Sequence, residues 1–218
     1  MKLSALLFDL DGTLIDTDDL HLNAYNQLLS RWGKSMSLDY YKAHVMGFPD
    51  DMIFSGLFPQ APATQYPELA AQKEAMFRAQ LRETIPVPGV LRTLDYAQAA
   101  GIPMAVVTNA PRENAEAMLQ GLGIAERFDA LVIGGELARG KPDPLPYLTA
   151  LRLLDASADQ ALAFEDSLAG VRSAAAAGIH TFGMLSGLEE TQLREAGARS
   201  IIRDFNDEAL WQRLQVPA

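Results

Sequence analysis

The stretch LSALLFDLDGTL at residues 3–14 decides the fold, because an almost unbroken apolar run stops there at two aspartates. Its four consecutive apolar residues, ALLF, are typical of a central parallel strand that is covered on both faces. We predict this strand over Leu3–Leu10. Asp9, Asp11 and Gly12 mark its carboxyl end, and ligands bind beyond the carboxyl ends of strands in open parallel sheets.

Short apolar runs that end in polar residues recur along the chain and predict the other strands of the same sheet. These runs lie at Pro103–Val107, Ala130–Ile133, Ala161–Phe164, Ile179–Met184 and Arg199–Ile202. Helical patterns separate them, and one helix is predicted to begin after Ser167, whose side chain can cap it. Strands that alternate with helices over short connections indicate a parallel α/β fold.

Residues 17–86 differ from the rest of the chain, because helical periodicity replaces the apolar runs and no strand is evident. Two breaks, at residues 47–49 and 59–67, divide this segment. The predicted helices are Leu20–Leu29, Tyr40–Val45 and Leu69–Leu81. We therefore predict two domains, a core formed by residues 1–16 and 87–218 and an all-helical insert formed by residues 17–86.

Composition excludes several classes of function. The 218 residues carry a net charge of −10 and include no cysteine. An acidic chain repels nucleic-acid phosphates and anionic lipid, so we expect neither as a partner. The lack of cysteine excludes disulfides, thiolate metal sites and cysteine nucleophiles. No apolar run approaches the roughly 18 residues of a membrane span, and aspartates come too early for a signal peptide. We expect a cytoplasmic protein, and a monomer by default.

Polar side chains follow several predicted strands and are expected to meet at one edge of the sheet. Asp9 and Asp11 follow the first strand, and Thr108, Asp166 and Lys141 follow later ones. Carboxylates so close together are unfavourable unless a cation offsets them, and Mg²⁺ is the natural choice. A hydroxyl and an ammonium suit an anionic group, so the set predicts phosphate-transfer chemistry. Taken alone, each residue is also compatible with an ordinary strand end, helix cap or solvated lysine.

Four motifs in this chain resemble, in order, those of the haloacid dehalogenase superfamily. They are FDLDGTL (Phe8–Leu14), VTN (Val107–Asn109), GKPDP (Gly140–Pro144) and FEDS (Phe164–Ser167). The resemblance spans the whole chain and is to the branch that contains β-phosphoglucomutase and phosphoglycolate phosphatase. It implies a Rossmann-like, three-layer α/β/α core with an inserted all-α cap domain. It also implies a Mg²⁺-dependent phosphatase that acts on a small phosphorylated metabolite, either a sugar phosphate or a phosphoglycolate-like ester.

The resemblance implies a role for each residue that would touch the phosphate. Asp9 would be the nucleophile that forms an aspartyl-phosphate. Asp11 would protonate the leaving alcohol and then accept a proton from water. Thr108 and the N–H of Asn109 would bind the phosphoryl oxygens, and Lys141 would offset negative charge.

The resemblance also implies a metal site. The Asp9 carboxylate, the main-chain carbonyl of Asp11 and the Asp166 carboxylate would hold Mg²⁺. Glu165 would support the metal site, either through a water molecule or from outside the first coordination sphere.

Residues of the cap distinguish the possible reactions. His21 falls where the mutase branch has a histidine near the cap hinge and is a candidate substrate-binding residue, although an ordinary surface or packing role is the favoured interpretation. Gly47 and Phe48 are candidate substrate-binding residues of a cap loop. In the mutases an arginine follows such a glycine, whereas two aspartates, Asp50 and Asp51, stand here and would repel a second phosphate. We therefore predict hydrolysis.

Three alternatives remain from the sequence. A β-phosphoglucomutase-type phosphomutase shares the same core residues. A metal-free dehalogenase is disfavoured by Asp11 and by the Glu165–Asp166 pair. A non-catalytic protein that binds a phosphorylated ligand is disfavoured because every core residue is present.

Overall fold

The computed structural model describes residues 3–45, 48, 50–81 and 84–214. Within these residues a parallel sheet forms the centre of the core. Its strands are β1 (Ala5–Phe8), β2 (Met104–Thr108), β3 (Ala130–Ile133), β4 (Ala161–Glu165), β5 (His180–Met184) and β6 (Ser200–Ile202). The six described strands lie in the order β3-β2-β1-β4-β5-β6. The predicted parallel α/β fold is confirmed.

Helices follow the strands in the alternating pattern that the sequence predicts. After β1 come α1 (Asp18–Ser30), α2 (Leu38–His44), α3 (Asp50–Leu57) and α4 (Tyr66–Arg78). The other helices are α5 (Val90–Ala100), α6 (Arg112–Gly121), α7 (Leu145–Leu153), α8 (Leu168–Ala176), α9 (Glu190–Ala196) and α10 (Glu208–Leu214). Helix α8 begins as predicted, because the Ser167 hydroxyl accepts a hydrogen bond from the Gly170 N–H at 3.0 Å.

Strand β1 is central and completely buried, which explains its unbroken apolar sequence. Leu7 pairs with Ala105 on one side and with Ala163 on the other. The strand is shorter than the predicted Leu3–Leu10. Its carboxyl end stops early because the Leu10 carbonyl accepts the N–H groups of Thr13, Leu14 and Ile15, at 3.3, 2.9 and 3.3 Å, and so turns the chain.

The chain forms two compact units, one of Met1–Asp16 with Thr84–Ala218 and one of Thr17–Glu83. The first division coincides with the predicted start of the insert, whereas the second precedes the predicted end at residue 86. The difference arises because Pro86 forms an antiparallel bridge with Ile15 of the core unit. The Val87 N–H also donates to the Leu14 carbonyl at 2.9 Å.

The helical unit of residues 17–83 has its own apolar core. Tyr25, Leu28, Tyr41, Phe54 and Leu69 are among its buried members. Helix α3 was not among the predicted helices. The predicted break at residues 59–67 is too long, because α4 already begins at Tyr66, where a proline in the first turn needs no hydrogen-bonded N–H.

In the part of the chain that the structure describes, no helix combines the length and the apolar character that a membrane crossing needs.

Candidate active site

Asp9 is the first residue after β1, at the start of the loop that follows this central strand. The residue is 6% exposed, and its N–H donates to the Phe164 carbonyl of β4 at 2.9 Å. Burial raises the pKa of the Asp9 carboxyl well above its usual value. The Lys141 ammonium opposes this rise, whereas the Glu165 and Asp166 carboxylates add to it. Asp9 is therefore a buried acid inside a cluster of like charges.

Lys141 connects the first strand to the fourth. Its Nζ donates to Asp9 Oδ1 and to Glu165 Oε1, each at 2.5 Å. Burial alone would lower the pKa of Lys141, but the two carboxylates raise it above its usual value. The side chain is thus a fixed positive charge against Asp9, and its three N–H donors exceed the two acceptors that these bonds use.

Glu165 is the last residue of β4 and is completely buried. Its Oε1 accepts from Lys141 and from the Tyr147 hydroxyl, the latter at 2.7 Å. Its Oε2 accepts from the Ser167 hydroxyl at 3.2 Å. Helix α8 approaches this carboxylate closely, since a Cβ added to Gly170 would lie 1.9 Å from Glu165 Oε2. Only glycine fits at that point of the helix.

Asp166 follows Glu165 and lies beside Asp9. Burial and, after it, the Glu165 carboxylate raise the pKa of Asp166 to about 8, although a hydrogen bond from Ser186 at 3.1 Å opposes the shift. Asp11 is close enough for its charge to raise the same pKa. Asp11 therefore belongs to the neighbourhood of the acidic cluster, as its position in the sequence predicts.

Three of these acids have the geometry of a cation site. Among the described residues, one oxygen each from Asp9, Glu165 and Asp166 lies within 4.8 Å of the others. Oxygen ligands from carboxylates suit Mg²⁺, and a divalent cation would relieve the repulsion that raises the pKa values of Asp9 and Asp166. The donor set fits a magnesium ion. Which of these oxygens would ligate it stays a prediction.

Thr108 is the last residue of β2, and Asn109 follows it at the same edge of the sheet. Thr108 is 2% exposed, and its hydroxyl accepts from the Ala110 N–H at 3.0 Å, so its proton can still be donated. The Asn109 amide contacts the main chain of Lys141 at both polar groups. Its Oδ1 accepts from the Lys141 N–H at 3.1 Å, and its Nδ2 donates to the Lys141 carbonyl at 3.2 Å. Asn109 thereby fixes the backbone that presents the lysine.

The predicted cap residues lie in the helical unit or outside the described residues. His21 is on α1, with its ring stacked on Phe77 at 4.1 Å between centroids and its Nδ1 2.8 Å from Lys73 Nζ. Phe48 is 43% exposed, and Gly47 lies outside the described residues. Substrate binding by these three residues stays a prediction.

Sequence reasoning missed two features of this site. Tyr147 looks like an ordinary apolar residue of α7, and only the fold brings its hydroxyl to Glu165. Asn109 was predicted to act through its N–H, and the contact of its side-chain amide with the main chain of Lys141, 32 residues away along the chain, was not predicted. Gly170, three residues after the predicted cap Ser167, was the available signal that the helix approaches Glu165 closely.

Comparisons with known proteins agree with the geometry. The family model described as haloacid dehalogenase-like hydrolase matches residues 6–184. A phosphorylated carbohydrates phosphatase from Thermotoga maritima is 30% identical over 208 residues, which cover 92% of this chain and 94% of the relative. A phosphoglycolate phosphatase from Rhodospirillum rubrum is 32% identical over 216 residues, covering 95% and 90% of the two chains.

A solved structure is also similar over nearly the whole chain. It is a mutant of CbbY from Rhodobacter sphaeroides in complex with xylulose-1,5-bisphosphate. The two chains share 28% identity and superpose with a TM-score of 0.80, over 94% of this chain and 96% of the other.

Proposed function

Because this chain belongs to the haloacid dehalogenase-like hydrolases, we propose that it releases phosphate from small phosphomonoesters through a phosphorylated Asp9. The similarity to phosphatases along nearly its full length makes the chain a phosphoric monoester hydrolase of that family. The finer parts of the proposal are the substrate class, the magnesium ion and the covalent intermediate.

One observation carries the chemistry: Lys141 is buried between Asp9 and Glu165 at 2.5 Å from each, with Asp166 beside them. The Lys141 ammonium favours the ionised form of the Asp9 carboxylate and so opposes the burial that raises its pKa. Since Lys141 bonds Oδ1, the other carboxylate oxygen, Oδ2, is available as the nucleophile. A third ammonium N–H can stabilise the charge on the transferring group.

The reaction has two steps. In the first, Asp9 Oδ2 attacks phosphorus, the P–O bond to the ester oxygen breaks, and Asp11 donates a proton to the leaving alcohol. In the second, water attacks the acyl phosphate, Asp11 accepts its proton, and inorganic phosphate leaves with Asp9 restored. The Thr108 hydroxyl and the Asn109 N–H bind the phosphoryl oxygens. Mg²⁺ bound at Asp9 and Asp166, with Glu165 and the Asp11 carbonyl in support, would supply positive charge against the phosphate.

The substrate class rests on relatives. One is named for phosphorylated carbohydrates and one for phosphoglycolate, and a similar structure holds a sugar bisphosphate. We propose a sugar phosphate or a phosphoglycolate-like ester. The helical unit is proposed to select among them. The cytoplasmic location and the monomeric state expected from the sequence stay predictions.

The nucleophile is tested by Asp9→Asn, which keeps the shape of the side chain and removes its charge. We expect kcat for phosphate release to fall by roughly 10⁴-fold or more, with the melting temperature retained. The exposed Asp159→Asn is the matched control and should leave kcat unchanged. Appreciable turnover by D9N would remove Asp9 from the proposed role.

The metal and the reaction type are tested together on a panel of phosphate esters. With Mg²⁺ we expect steady phosphate release from some member, and with EDTA none. Beryllofluoride and Mg²⁺ together should raise the melting temperature, since both would bind the folded site. If glucose phosphates interconvert and no ester releases phosphate, the phosphomutase is favoured instead.

A further inference from the structure

Tyr147 has a fully buried hydroxyl beside the acidic cluster. This residue lies on α7, is 0% exposed, and is one of the largest fully buried side chains among the described residues. Its ring packs in an apolar cluster with Leu7 of β1 and Val107 of β2. A phenylalanine would fill such a cluster equally well. Burial of a hydroxyl costs free energy unless the hydroxyl forms a hydrogen bond. Apolar packing alone therefore does not explain why this residue is a tyrosine.

The hydrogen-bond partner of this hydroxyl is Glu165. The Tyr147 hydroxyl donates to Oε1 at 2.7 Å, to the same oxygen that accepts from Lys141. The Lys141 Nζ also lies 5.5 Å from the centroid of the Tyr147 ring, within the range of a cation–π contact. Tyr147 therefore contacts both members of the ion pair between Lys141 and Glu165.

The torsion that orients a glutamate carboxylate is broad and weakly restrained by itself. The Lys141 ammonium bonds Asp9 and Glu165 at the same distance, 2.5 Å. A movement of either carboxylate would therefore displace the ammonium. The Tyr147 hydroxyl on Oε1 and the Ser167 hydroxyl on Oε2 fix Glu165 from both sides. Lys141 is then held at one distance from Asp9 Oδ1.

We propose that Tyr147 is a positioning residue for the phosphatase reaction, whose hydroxyl orients Glu165 and thereby sets the place of Lys141 against Asp9. The inference rests on the proposed function, because it assumes that Lys141 acts on the phosphoryl group attached to Asp9. It concerns the transition state, in which the charge near Asp9 changes, more than the binding of the substrate.

The test compares Tyr147→Phe with Tyr96→Phe in the full-length protein. Tyr96 also donates a hydroxyl hydrogen bond, to the Leu214 carbonyl at 2.6 Å, but on α5 and away from the cluster. With p-nitrophenyl phosphate and Mg²⁺ as the probe, we expect kcat of Y147F to fall about tenfold, with KM within about twofold. Y96F should match the wild type. Both variants should melt within a few degrees of each other.

Two further measurements do not depend on turnover. Y147F should give a smaller rise in melting temperature with beryllofluoride and Mg²⁺ than Y96F gives. Its crystal structure should show the Glu165 carboxylate rotated and Lys141 Nζ displaced from Asp9 Oδ1.

A kcat of Y147F within about twofold of that of Y96F, or a loss confined to KM, overturns the inference. If the wild type releases no phosphate from any ester, the proposed function fails. The position of Glu165 in the Y147F crystal structure then decides the inference, and an unmoved carboxylate overturns it.

Discussion

Burial and neighbouring charges shift the pKa values of single residues in this protein. Asp9 and Asp166 have raised pKa values because burial and neighbouring carboxylates penalise their charge. Lys141 shows the opposite balance, since two carboxylates outweigh its burial. The same physics acts outside the acidic cluster, at His180, where it affects stability alone.

His180 opens β5 and is half-buried, with its Nε2 2.9 Å from the Ser200 hydroxyl. Burial, followed by the charges of Arg213 and Arg199, lowers its pKa to about 4. The unfolded chain binds a proton near pH 6.5, so the folded state loses stability as the pH falls from about 7 towards 4. After allowing for solvent screening we expect a loss of about 1 kcal/mol.

His180→Gln should remove this part of the pH dependence. The measurement is the melting temperature at pH 7 and pH 5 for both proteins, in the absence of Mg²⁺ and phosphate. Between pH 7 and pH 5 the melting temperature of the wild type should fall further than that of H180Q. Equal losses would show that protonation of His180 does not oppose folding.

At the scale of elements, the carboxyl end of β4 and the start of α8 form one unit with the acidic cluster. Gly170, in the first turn of α8, lets the helix pass directly over the Glu165 carboxylate. A Cβ on Gly170 would meet all three carboxyl atoms of that side chain at 1.9 to 2.0 Å. Because Glu165 is buried and bonded on both oxygens, it has no free space into which to move.

Gly170→Ala should therefore displace Glu165 and lower kcat by about 10- to 100-fold, with a loss of stability of about 1–3 kcal/mol. Gly56→Ala on α3 is the matched control, since its added Cβ would meet nothing within 4 Å. We expect G56A to leave kcat unchanged and to gain up to about 1 kcal/mol, as alanine favours helix. Steady-state kinetics measures kcat, and urea unfolding measures the stability of both variants. A fully active G170A would contradict the close approach.

The sequence predicted elements well where one strong pattern acts locally. The run at Ala130–Ile133 matches β3 residue for residue, and Ser167 caps α8 as its position predicts. The four motifs identified the family and most of the cluster. What could not be predicted depends on distant parts of the chain. The bond from Tyr147 to Glu165 requires α7 to pack against β1, β2 and β3, and nothing in either sequence segment specifies that partner.

Helix α3 was missed for a different reason. It is short, and its burial depends on aromatic partners from other helices, such as Tyr25 and Tyr66 on Phe54. A pattern of eight residues is too brief to be distinguished from a turn by periodicity.

At the scale of the whole molecule, each of the two compact units contains buried aromatic residues of its own. Phe54, 1% exposed, lies in the core of the helical unit. Phe205, 0% exposed, packs on Phe8 and Phe164 in the sheet unit, with ring centroids 5.9 and 5.0 Å away. Each unit therefore has an independent source of stability.

Phe54→Ala should destabilise the helical unit by about 3–5 kcal/mol, through lost burial and a residual cavity. Hydrogen exchange should then lose protection across residues 17–83 and keep it in the sheet. Phe205→Ala is the reciprocal control and should lower protection in the sheet unit. Uniform loss of protection in both variants would mean that the two units unfold together.

The bridge between Ile15 and Pro86 gives the core unit a closed junction, in which the chain leaves and returns at neighbouring points. An inserted segment whose own ends lie close together can be exchanged there without changing the order or register of the strands. Natural variation or engineering can therefore replace the helical unit while the strands that carry the acidic cluster keep their pairing.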